Sequence, residues 1–429
     1  MTKKKKVLEF VTGYYLTSRD FNGTPTPEIC SSLGVSSEEL KRILITLTKE
    51  GVVSLVSEAV DVNVHIKRFP ALPQAEQVRL LEEMEHLDRY SSSTCIYPSA
   101  SHLRGVVDDQ YYKDRPFTLE IALGAPQLSH RSFDPSVLEF YREDPRYHFF
   151  YDIRGEIVIK AEFYGSNRVP SFDEIVLENF GSSLDSEGNR AVAVFLRYLS
   201  QLTPEHQQIW KTRELSGDYT LHPCYYKWMV RGEWFDCTSV FSAFSAQLKC
   251  INQVCELMGR SHLFKNDLSG DARPREFGFL VRPTSKEFNS FVHLLDKVIS
   301  ENINLAFFQN EIELNEEIRK RDGRVEVRPK GSIAVLAEWL QKNFHTTDED
   351  FEASIKAIFA TFKKIRKMRQ KPAHATRENI FDKAYFKEQI EVMRETYEAI
   401  SILRNAFCLH PVAINKNIPL AYSGRVVFQ

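Results

Sequence analysis

Three segments between residues 332 and 407 repeat apolar residues at spacings of three and four, and they constrain the fold more than any other feature. The second segment carries its apolar residues at Phe351, Ile355, Ile358, Phe359, Phe362 and Ile365. An α-helix makes one turn in about 3.6 residues, so each segment predicts a helix with one buried face. Residues 331 to 429 are therefore predicted to form a small α-helical bundle.

A cluster of basic residues occupies the end of the second helix and the segment that follows it. Between residues 353 and 377 there is no Asp or Glu, and the eight basic residues are Lys356, Lys363, Lys364, Arg366, Lys367, Arg369, Lys371 and Arg377. Cations favour the C-terminal end of a helix, but this effect explains only about two or three of them. Because the whole chain has a net charge of -2, the cluster predicts a local contact with nucleic acid.

The basic cluster leads into the hexapeptide RQKPAH, in which four residues separate Arg369 from His374. Pro372 suits the first turn of a helix that starts again. A similar pair, Arg142 and His148, encloses two acidic residues and belongs to no predicted bundle, so we interpret it as a coincidence. The position of RQKPAH between a basic helix and an amphipathic helix distinguishes the first pair from the second.

On this motif, residues 331 to 410 resemble the HEPN superfamily, whose helical bundles carry an Arg-x4-6-His motif after a long helix. Gln370 departs from the family's preference for Asn, Asp or His after the Arg. The resemblance implies a metal-independent endoribonuclease that needs no cofactor and acts as a homodimer. It implies catalytic roles for Arg369 and His374, and products with 2′,3′-cyclic phosphate and 5′-hydroxyl ends.

The chemistry of RNA cleavage suits these two residue types. The 2′-hydroxyl of RNA is an internal nucleophile, and a His exchanges protons near neutral pH as general base or general acid. An Arg binds the scissile phosphate through two nitrogens and stabilises its charge in the transition state. The residues predicted to bind the RNA backbone are Gln370, Lys371, Lys363, Lys364 and Lys367.

Residues 1 to 70 predict a smaller domain of three helices followed by two paired strands. The helices are VLEFVTGYYLTS, TPEICSSLGV and SSEELKRILITLTKEG, and the strands are VVSLVS and VNVHIKRF. Thr26 is the predicted cap of the second helix, and Ser36 or Ser37 caps the third. Gly34 and Gly51 are predicted to end these helices. The order resembles a winged helix-turn-helix domain.

In a winged helix the third helix enters the major groove of DNA, where Lys41 and Arg42 would make contacts. Glu38 and Glu39 stand near the start of the same helix and oppose the approach of phosphates. A role of this helix in packing or in protein contact therefore stays open beside DNA binding.

The rest of the chain predicts a connecting helix and loop over residues 71 to 110 and a mixed α+β region over residues 111 to 330. In this region FTLEIALGA and EFGFLVRPT predict strands, RYHFFYDIRGEIVIKAEFYG predicts a hairpin, and residues 189 to 215 predict a helix broken at Pro204. It contains no nucleotide-binding or zinc-protease motif. We expect this middle region to sense a ligand or a regulatory protein.

The cysteines and the apolar segments of the sequence indicate where in the cell the protein is expected. The seven Cys are scattered and form no CxxC pair, which favours thiols in a reducing cytosol over disulfides or a zinc site. The first apolar run is interrupted by Glu9, Thr12 and Gly13, unlike a signal peptide, and no apolar stretch approaches the length of a membrane span. We therefore expect a cytoplasmic protein that has no membrane partner.

Taken together, these patterns predict an α+β multidomain protein with a winged-helix-like start, a mixed middle and a HEPN-like bundle. The first predicted function is RNA cleavage, in the manner of the toxins and phage-defence effectors to which HEPN ribonucleases often belong. The alternative is a winged-helix DNA-binding regulator whose bundle only mediates dimerisation. A third interpretation is an adaptor protein that has neither activity.

Overall fold

The structure is a computed structural model that describes residues 2–428 apart from 60, 62, 90–93, 235–236, 321, 323, 345–348, 371–377, 417, 419 and 421–423. The chain divides into two compact units. The first comprises Met1–Phe149 with Arg154–Glu233, and the second comprises Phe150–Ile153 with Trp234–Gln429. Both units contain helices and strands, which confirms the predicted α+β class.

The first unit opens with helices and a small sheet that share one core. The helices are α1 (Lys3–Thr17), α2 (Thr26–Leu33), α3 (Ser37–Lys49) and α4 (Gln74–Glu83), and the strands are β1 (Thr24–Pro25), β2 (Val53–Ser57) and β3 (Thr94–Pro98). The sheet has the order β1-β3-β2. Leu40, Leu44 and Leu47 recur along α3 at helical spacing and are buried in one apolar cluster with Val11 of α1 and Ile96 of β3.

The strand that pairs with β2 is not the one that the sequence predicted. The described residues of VNVHIKRF form turns and bends. Instead β3 pairs antiparallel with β2, with Leu55 opposite Ile96. All five residues of β3 are buried. A strand buried on both faces shows no alternation of apolar and polar residues, so its sequence, TCIYP, carries no period-two signal.

Capping explains the limits of α2 and α3. The Ser36 hydroxyl accepts a hydrogen bond from the Glu39 backbone N–H at 3.3 Å, which confirms the predicted start of α3. Gly34 follows α2 at a φ of 61°, a left-handed conformation that suits Gly. The predicted cap Thr26 is wrong, because Pro25 takes the cap position and Thr26 is the first residue of the helix.

A buried lysine follows β2. Lys67 is 7% exposed, and its Nζ donates a hydrogen bond to the Gly124 carbonyl oxygen at 3.0 Å. Burial lowers the pKa of this amine to about 8, because a low-dielectric environment disfavours the charged form.

The lowered pKa predicts a pH dependence of stability. Between about pH 8 and 10.5 the unfolded chain holds a proton on Lys67 that the folded chain has released. The free energy of unfolding should therefore rise with pH across that window, by up to roughly 3 kcal/mol. Urea unfolding curves of Lys67→Met should lack this rise, whereas Lys113→Met, at an exposed position, should keep it. Equal pH slopes in wild type and Lys67→Met would contradict the prediction.

A six-stranded sheet and short helices complete the first unit. The strands are β4 (His130–Phe133), β5 (Tyr147–Tyr151), β6 (Arg154–Ile159), β7 (Val176–Leu184), β8 (Arg190–Phe195) and β9 (Thr220–Leu221). Their order is β4-β8-β7-β6-β5, and β9 pairs with β7. The helices are α5 (Ala100–Leu103), α6 (Pro116–Ala122), α7 (Glu139–Glu143), α8 (Leu196–Leu199), α9 (Pro204–Lys211) and α10 (Pro223–Arg231).

The predictions for this part of the chain had mixed outcomes. The predicted hairpin is present as β5 and β6, but its turn lies just before Arg154 and not at the predicted Arg154-Gly155, which belong to β6. The predicted strand FTLEIALGA is wrong, because Pro116 opens α6 there and Phe117 and Ile121, four residues apart, are buried together. Residues 189 to 215 are not one broken helix, because the run RAVAVF forms β8 between β4 and β7.

The second unit is mainly helical. Its elements are β10 (Cys237–Ser239), α11 (Val240–Leu257), α12 (Ser285–Ile299), β11 (Asn315–Arg319), β12 (Val325–Pro329), α13 (Ser332–Asn343), α14 (Glu349–Gln370), α15 (Ala384–Cys408) and β13 (Arg425–Val427). Helix α15 packs against α11 and α14, and α14 also packs against α12. Two helices of the predicted middle region thus pack with two helices of the predicted bundle.

The predicted strand EFGFLVRPT is wrong, since these residues form turns and bends. The amide side chain of Gln389 on α15 occupies the place of a neighbouring strand. It accepts a hydrogen bond from the Leu280 N–H at 3.0 Å and donates one to the Gly278 carbonyl at 2.8 Å. The buried backbone is satisfied by this side chain, so it needs no strand partner here.

The structure bears on two expectations from composition, which concern the cysteines and membrane-spanning helices. Cys224 and Cys237 are disulfide-bonded, so the expectation of thiols throughout is wrong for these two. The scattered spacing of Cys in the sequence gave no signal that these two residues are oxidised. Among the described helices, none has the length and apolar character that crossing a bilayer requires.

Candidate active site

The last turns of α14 carry five described members of the basic cluster on the surface of the second unit, namely Lys363, Lys364, Arg366, Lys367 and Arg369. Ile358, Phe362 and Ile365 of the predicted stripe are buried. Lys363 and Lys367 lie on the opposite, exposed side of the helix. The helical period thus separates an apolar face from a cationic face.

Arg366 and Arg369 pair with one buried carboxylate. Arg369 Nη1 donates a hydrogen bond to Asp296 Oδ2 at 2.6 Å, and Arg366 Nε lies 3.5 Å from Asp296 Oδ1. The Asp296 side chain on α12 is fully buried, whereas the Arg369 and Arg366 side chains are 31% and 39% exposed. Arg369 Nη1 also lies 3.4 Å from Glu301 Oε1. We call these four residues the arginine clamp.

Charge pairing explains why Asp296 can be buried. An isolated carboxylate in a protein interior is very costly, and two guanidinium groups offset that cost. The hydrogen bond to Asp296 raises the pKa of Arg369 above its usual value, so this Arg stays charged. Sequence reasoning missed Asp296 and Glu301. In the run LLDKVI of α12 Asp296 stands beside Lys297, so the local sequence gave no signal that this acid is buried.

The arginine clamp holds Arg369 through one nitrogen, Nη1, and leaves its other nitrogens able to donate hydrogen bonds. Nε and Nη2 of its guanidinium group have no hydrogen-bond partner among the described residues. A guanidinium group held at one nitrogen can present the others to a phosphate, since its donors form a rigid planar fork. The arrangement is therefore able to bind a phosphodiester at the surface.

The predicted RNA-binding residues differ in their contacts. Lys364 Nζ is held by both carboxylate oxygens of Glu395 on α15, at 2.7 and 2.6 Å. Lys363 and Lys367 are exposed and form no ion pair with any residue that the structure describes. Gln370 is exposed and is the last residue of α14. Lys363 and Lys367 are thus two lysines of α14 whose charge is not matched by a carboxylate of any described residue.

The second half of the motif lies outside the described residues. This applies to the predicted catalytic His374 and to the predicted RNA-binding Lys371. The pair Arg142 and His148, which we interpreted as a coincidence, makes local contacts in the first unit. Arg142 Nε donates to Glu143 Oε1 at 3.1 Å, and His148 Nε2 lies 3.1 Å from Glu156 Oε1.

The residues predicted to bind DNA make contacts within their own unit. Lys41 Nζ donates to the Met84 carbonyl at 2.7 Å, and Arg42 Nε donates to the Glu38 carbonyl at 3.3 Å. The lysines at the N-terminus belong to α1 and do not precede it. Lys3 forms an ion pair with Glu39 at 2.8 Å, and Lys4 pairs with Glu50 at 2.7 Å. Much of the positive charge near α3 is already matched by carboxylates.

Another set of catalytic residue types is buried in the first unit. His206 Nδ1 lies 2.8 Å from the Tyr141 hydroxyl, and His206 Nε2 lies 3.4 Å from Asp173 Oδ1. Burial lowers the pKa of His206, so it is neutral at neutral pH. Because His206 is 0% exposed, no substrate can reach it, and we interpret the set as a hydrogen-bonded core.

Neither a metal-binding cluster among the described residues nor a similarity to a known protein identifies this site. Within the described ranges, no three or more His, Cys, Asp or Glu side chains come together in a way that could hold a metal ion. No protein-family model matches the chain, and comparisons with curated proteins and with solved structures give no match. Any functional conclusion therefore depends on the residues of the site themselves.

Proposed function

We propose that this chain is a metal-independent endoribonuclease of the HEPN type, in which Arg369 and His374 act on the RNA. The observation that carries the proposal is the arginine clamp, in which a fully buried carboxylate holds a partly exposed Arg at the end of α14. Fixing a reactive side chain through a buried partner is what a pre-organised site requires. The packing of α11, α12, α14 and α15 supports the helical-bundle part of the proposal.

In the proposed reaction Arg369 binds the scissile phosphate through the donors that Asp296 does not use. His374 takes the proton of the 2′-hydroxyl or delivers one to the leaving 5′-oxygen. One His does not easily perform both transfers, so the proposal includes a homodimer that brings two motifs to one cleft. Lys363 and Lys367 guide the RNA backbone, and the protein acts in the cytoplasm as a toxin or phage-defence effector.

For residues 1 to 70, at the start of the first unit, we propose a winged-helix-like domain. The order of α1, β1, α2, α3, β2 and β3 and the sheet order β1-β3-β2 support it. The alternative function, a DNA-binding regulator, requires free cations on α3. The contacts of Lys41 with Met84 and of Lys3 with Glu39 weigh against it. Because these contacts occupy cations on and near α3, the ribonuclease is the first function to test.

The ribonuclease proposal is tested with substrates that differ at the nucleophile. Purified protein is incubated in EDTA with a labelled mixed-sequence RNA, with tRNA and with the same RNA carrying 2′-O-methyl groups. We expect cleavage of both unmodified RNAs, with 2′,3′-cyclic phosphate and 5′-hydroxyl ends. We expect none of the methylated RNA, because its nucleophile is blocked.

Other results of these assays would exclude the ribonuclease chemistry or favour a different function. Cleavage of the methylated RNA, or products with 3′-hydroxyl ends, would exclude the proposed chemistry. Absence of cleavage together with sequence-specific DNA binding that Lys41→Gln and Arg42→Gln abolish would favour the regulator. Absence of both activities would favour the adaptor.

The two free lysines predict a salt dependence of RNA binding. In a His374→Ala background, replacing Lys363 and Lys367 with Gln should reduce the slope of log affinity against log salt by about 1.4, because each lysine on single-stranded RNA contributes roughly 0.7. Lys364→Gln is the matched control and should change the slope less, since Glu395 already neutralises that lysine. Fluorescence anisotropy of a labelled RNA measures the slope, and equal effects of all three changes would contradict the assigned contacts.

A further inference from the structure

Helices α11 and α15 bring two cysteines together inside the second unit. Helix α11 packs against α15, and Cys250 on α11 and Cys408 on α15 lie close enough for each thiol to affect the ionisation of the other. The next layer of the same interface is polar, since Arg404 Nε donates a hydrogen bond to Gln247 Oε1 at 2.9 Å. Gln247 and Cys250 are three residues apart, and Arg404 and Cys408 are four apart, so each pair lies on one face of its helix.

The two thiols differ in environment. Cys250 is buried, whereas Cys408 is partly exposed at the end of α15. The neighbouring Cys250 thiol, assisted by the charge of Arg404 and a hydrogen bond from it, lowers the pKa of the Cys408 thiol below that of an ordinary cysteine. The same contact and burial raise the pKa of Cys250. At neutral pH the pair therefore holds one accessible thiolate beside one protonated thiol.

The remaining free thiols lack this combination. Cys30, Cys95 and Cys255 are buried. Burial raises the pKa of each of them. Among the free cysteines, only Cys408 is both partly exposed and low in pKa, which are the two properties that make a cysteine react.

We propose that Cys250 and Cys408 form an oxidation site, in which a peroxide converts the thiol pair into a disulfide that joins α11 to α15. Cys408 is the residue that the oxidant reaches, and Cys250 is the residue that resolves it. This inference is independent of the ribonuclease proposal, because it uses neither Arg369 nor His374.

The reaction balances with hydrogen peroxide as the oxidant. The Cys408 thiolate attacks one peroxide oxygen, the O–O bond breaks, and a sulfenic acid forms while hydroxide leaves. The Cys250 thiol loses its proton, which converts the hydroxide to water, and its sulfur attacks the Cys408 sulfur. The S–O bond breaks, a second water leaves after protonation, and two electrons have passed from the two sulfurs to the peroxide.

The test uses the full-length protein and peptide mass spectrometry. In the first arm, native protein is alkylated briefly with iodoacetamide between about pH 5 and 9, and labelled peptides are quantified. We expect Cys408 to be labelled first, with a midpoint clearly below the value of about pH 8.5 that an ordinary thiol has. In the second arm, protein treated with hydrogen peroxide is digested without reduction, and we expect a peptide that links Cys250 to Cys408.

Variants separate this pair from a general effect of oxidation. Cys250→Ala should raise the alkylation midpoint of Cys408 by about one pH unit or more, because the neighbouring thiol is lost, and it should leave Cys408 as sulfenic or sulfinic acid after peroxide. Cys255→Ala is the matched control on the same helix and should behave like wild type. Arg404 is unchanged in both variants, so its charge cannot cause the difference.

Two results in the wild-type protein would contradict the proposed oxidation site. A wild-type midpoint near about pH 8.5, the value of an ordinary thiol, would overturn the inference. So would oxidation of wild-type Cys408 to sulfinic acid without a linked peptide. The wild-type protein decides both points, so the test does not depend on whether Cys250→Ala folds.

Discussion

Replacing His374 with Ala is expected to slow RNA cleavage by at least ~100-fold, because a positioned His contributes roughly 10²- to 10⁴-fold through proton transfer. Initial rates on a labelled single-stranded RNA in EDTA measure the loss. His148→Ala is the matched control that the chain itself offers. His148 also follows an Arg at close spacing, and it lies beside Glu156 in the other unit. Its removal should leave the rate unchanged.

Arg369 needs a more careful substitution than His374. Arg369→Ala would remove a donor to RNA and a partner of buried Asp296 at the same time. Arg369→Lys keeps the positive charge beside Asp296 and removes the planar fork, so it should lower the rate roughly 10²-fold or more with little loss of folded protein. A wild-type rate in His374→Ala would place the activity outside the RQKPAH motif and overturn the assignment.

Removing both arginines of the clamp is expected to lower the free energy of unfolding of the second unit by about 3–5 kcal/mol, because a buried carboxylate is then left without a partner. The variant is Arg366→Ala with Arg369→Ala, and Asp296 is 0% exposed in the wild type. Hydrogen exchange of the α12 backbone amides, read by mass spectrometry, measures the change where it arises.

A third substitution separates charge from packing. Adding Asp296→Leu to the double variant should restore much of the lost stability, since an apolar side chain of similar volume needs no partner. Lys363→Ala with Lys367→Ala is the control, because it removes two cations of the same helix that pair with no described residue. If the double arginine variant were as stable as this control, Asp296 would not depend on the clamp.

The helices of this chain were largely predictable from local sequence. The apolar stripes of α3 and α14, the Ser36 cap and the Gly34 stop are all set by residues within a few turns of one another. The strands were less predictable. The run TCIYP of β3 has no alternation, and its partner β2 stands well before it in the sequence. Strand identity depended on which partner the rest of the fold supplied.

The candidate site shows the same division. The sequence alone marked the cationic end of α14, because like charges concentrated on one short segment are visible without a structure. It could not mark Asp296, which stands 73 residues before Arg369 and resembles an ordinary helix residue in its local context.

By itself, the sequence determined where charge and helical faces lie, since both follow from residue type and a fixed helical period. Only the tertiary structure decided which side chains from distant segments come together, as Asp296 does with its two arginines and Cys250 does with Cys408. Burial and low dielectric depend on distant segments that pack together, and those conditions turn a charge or a thiol into a specific contact.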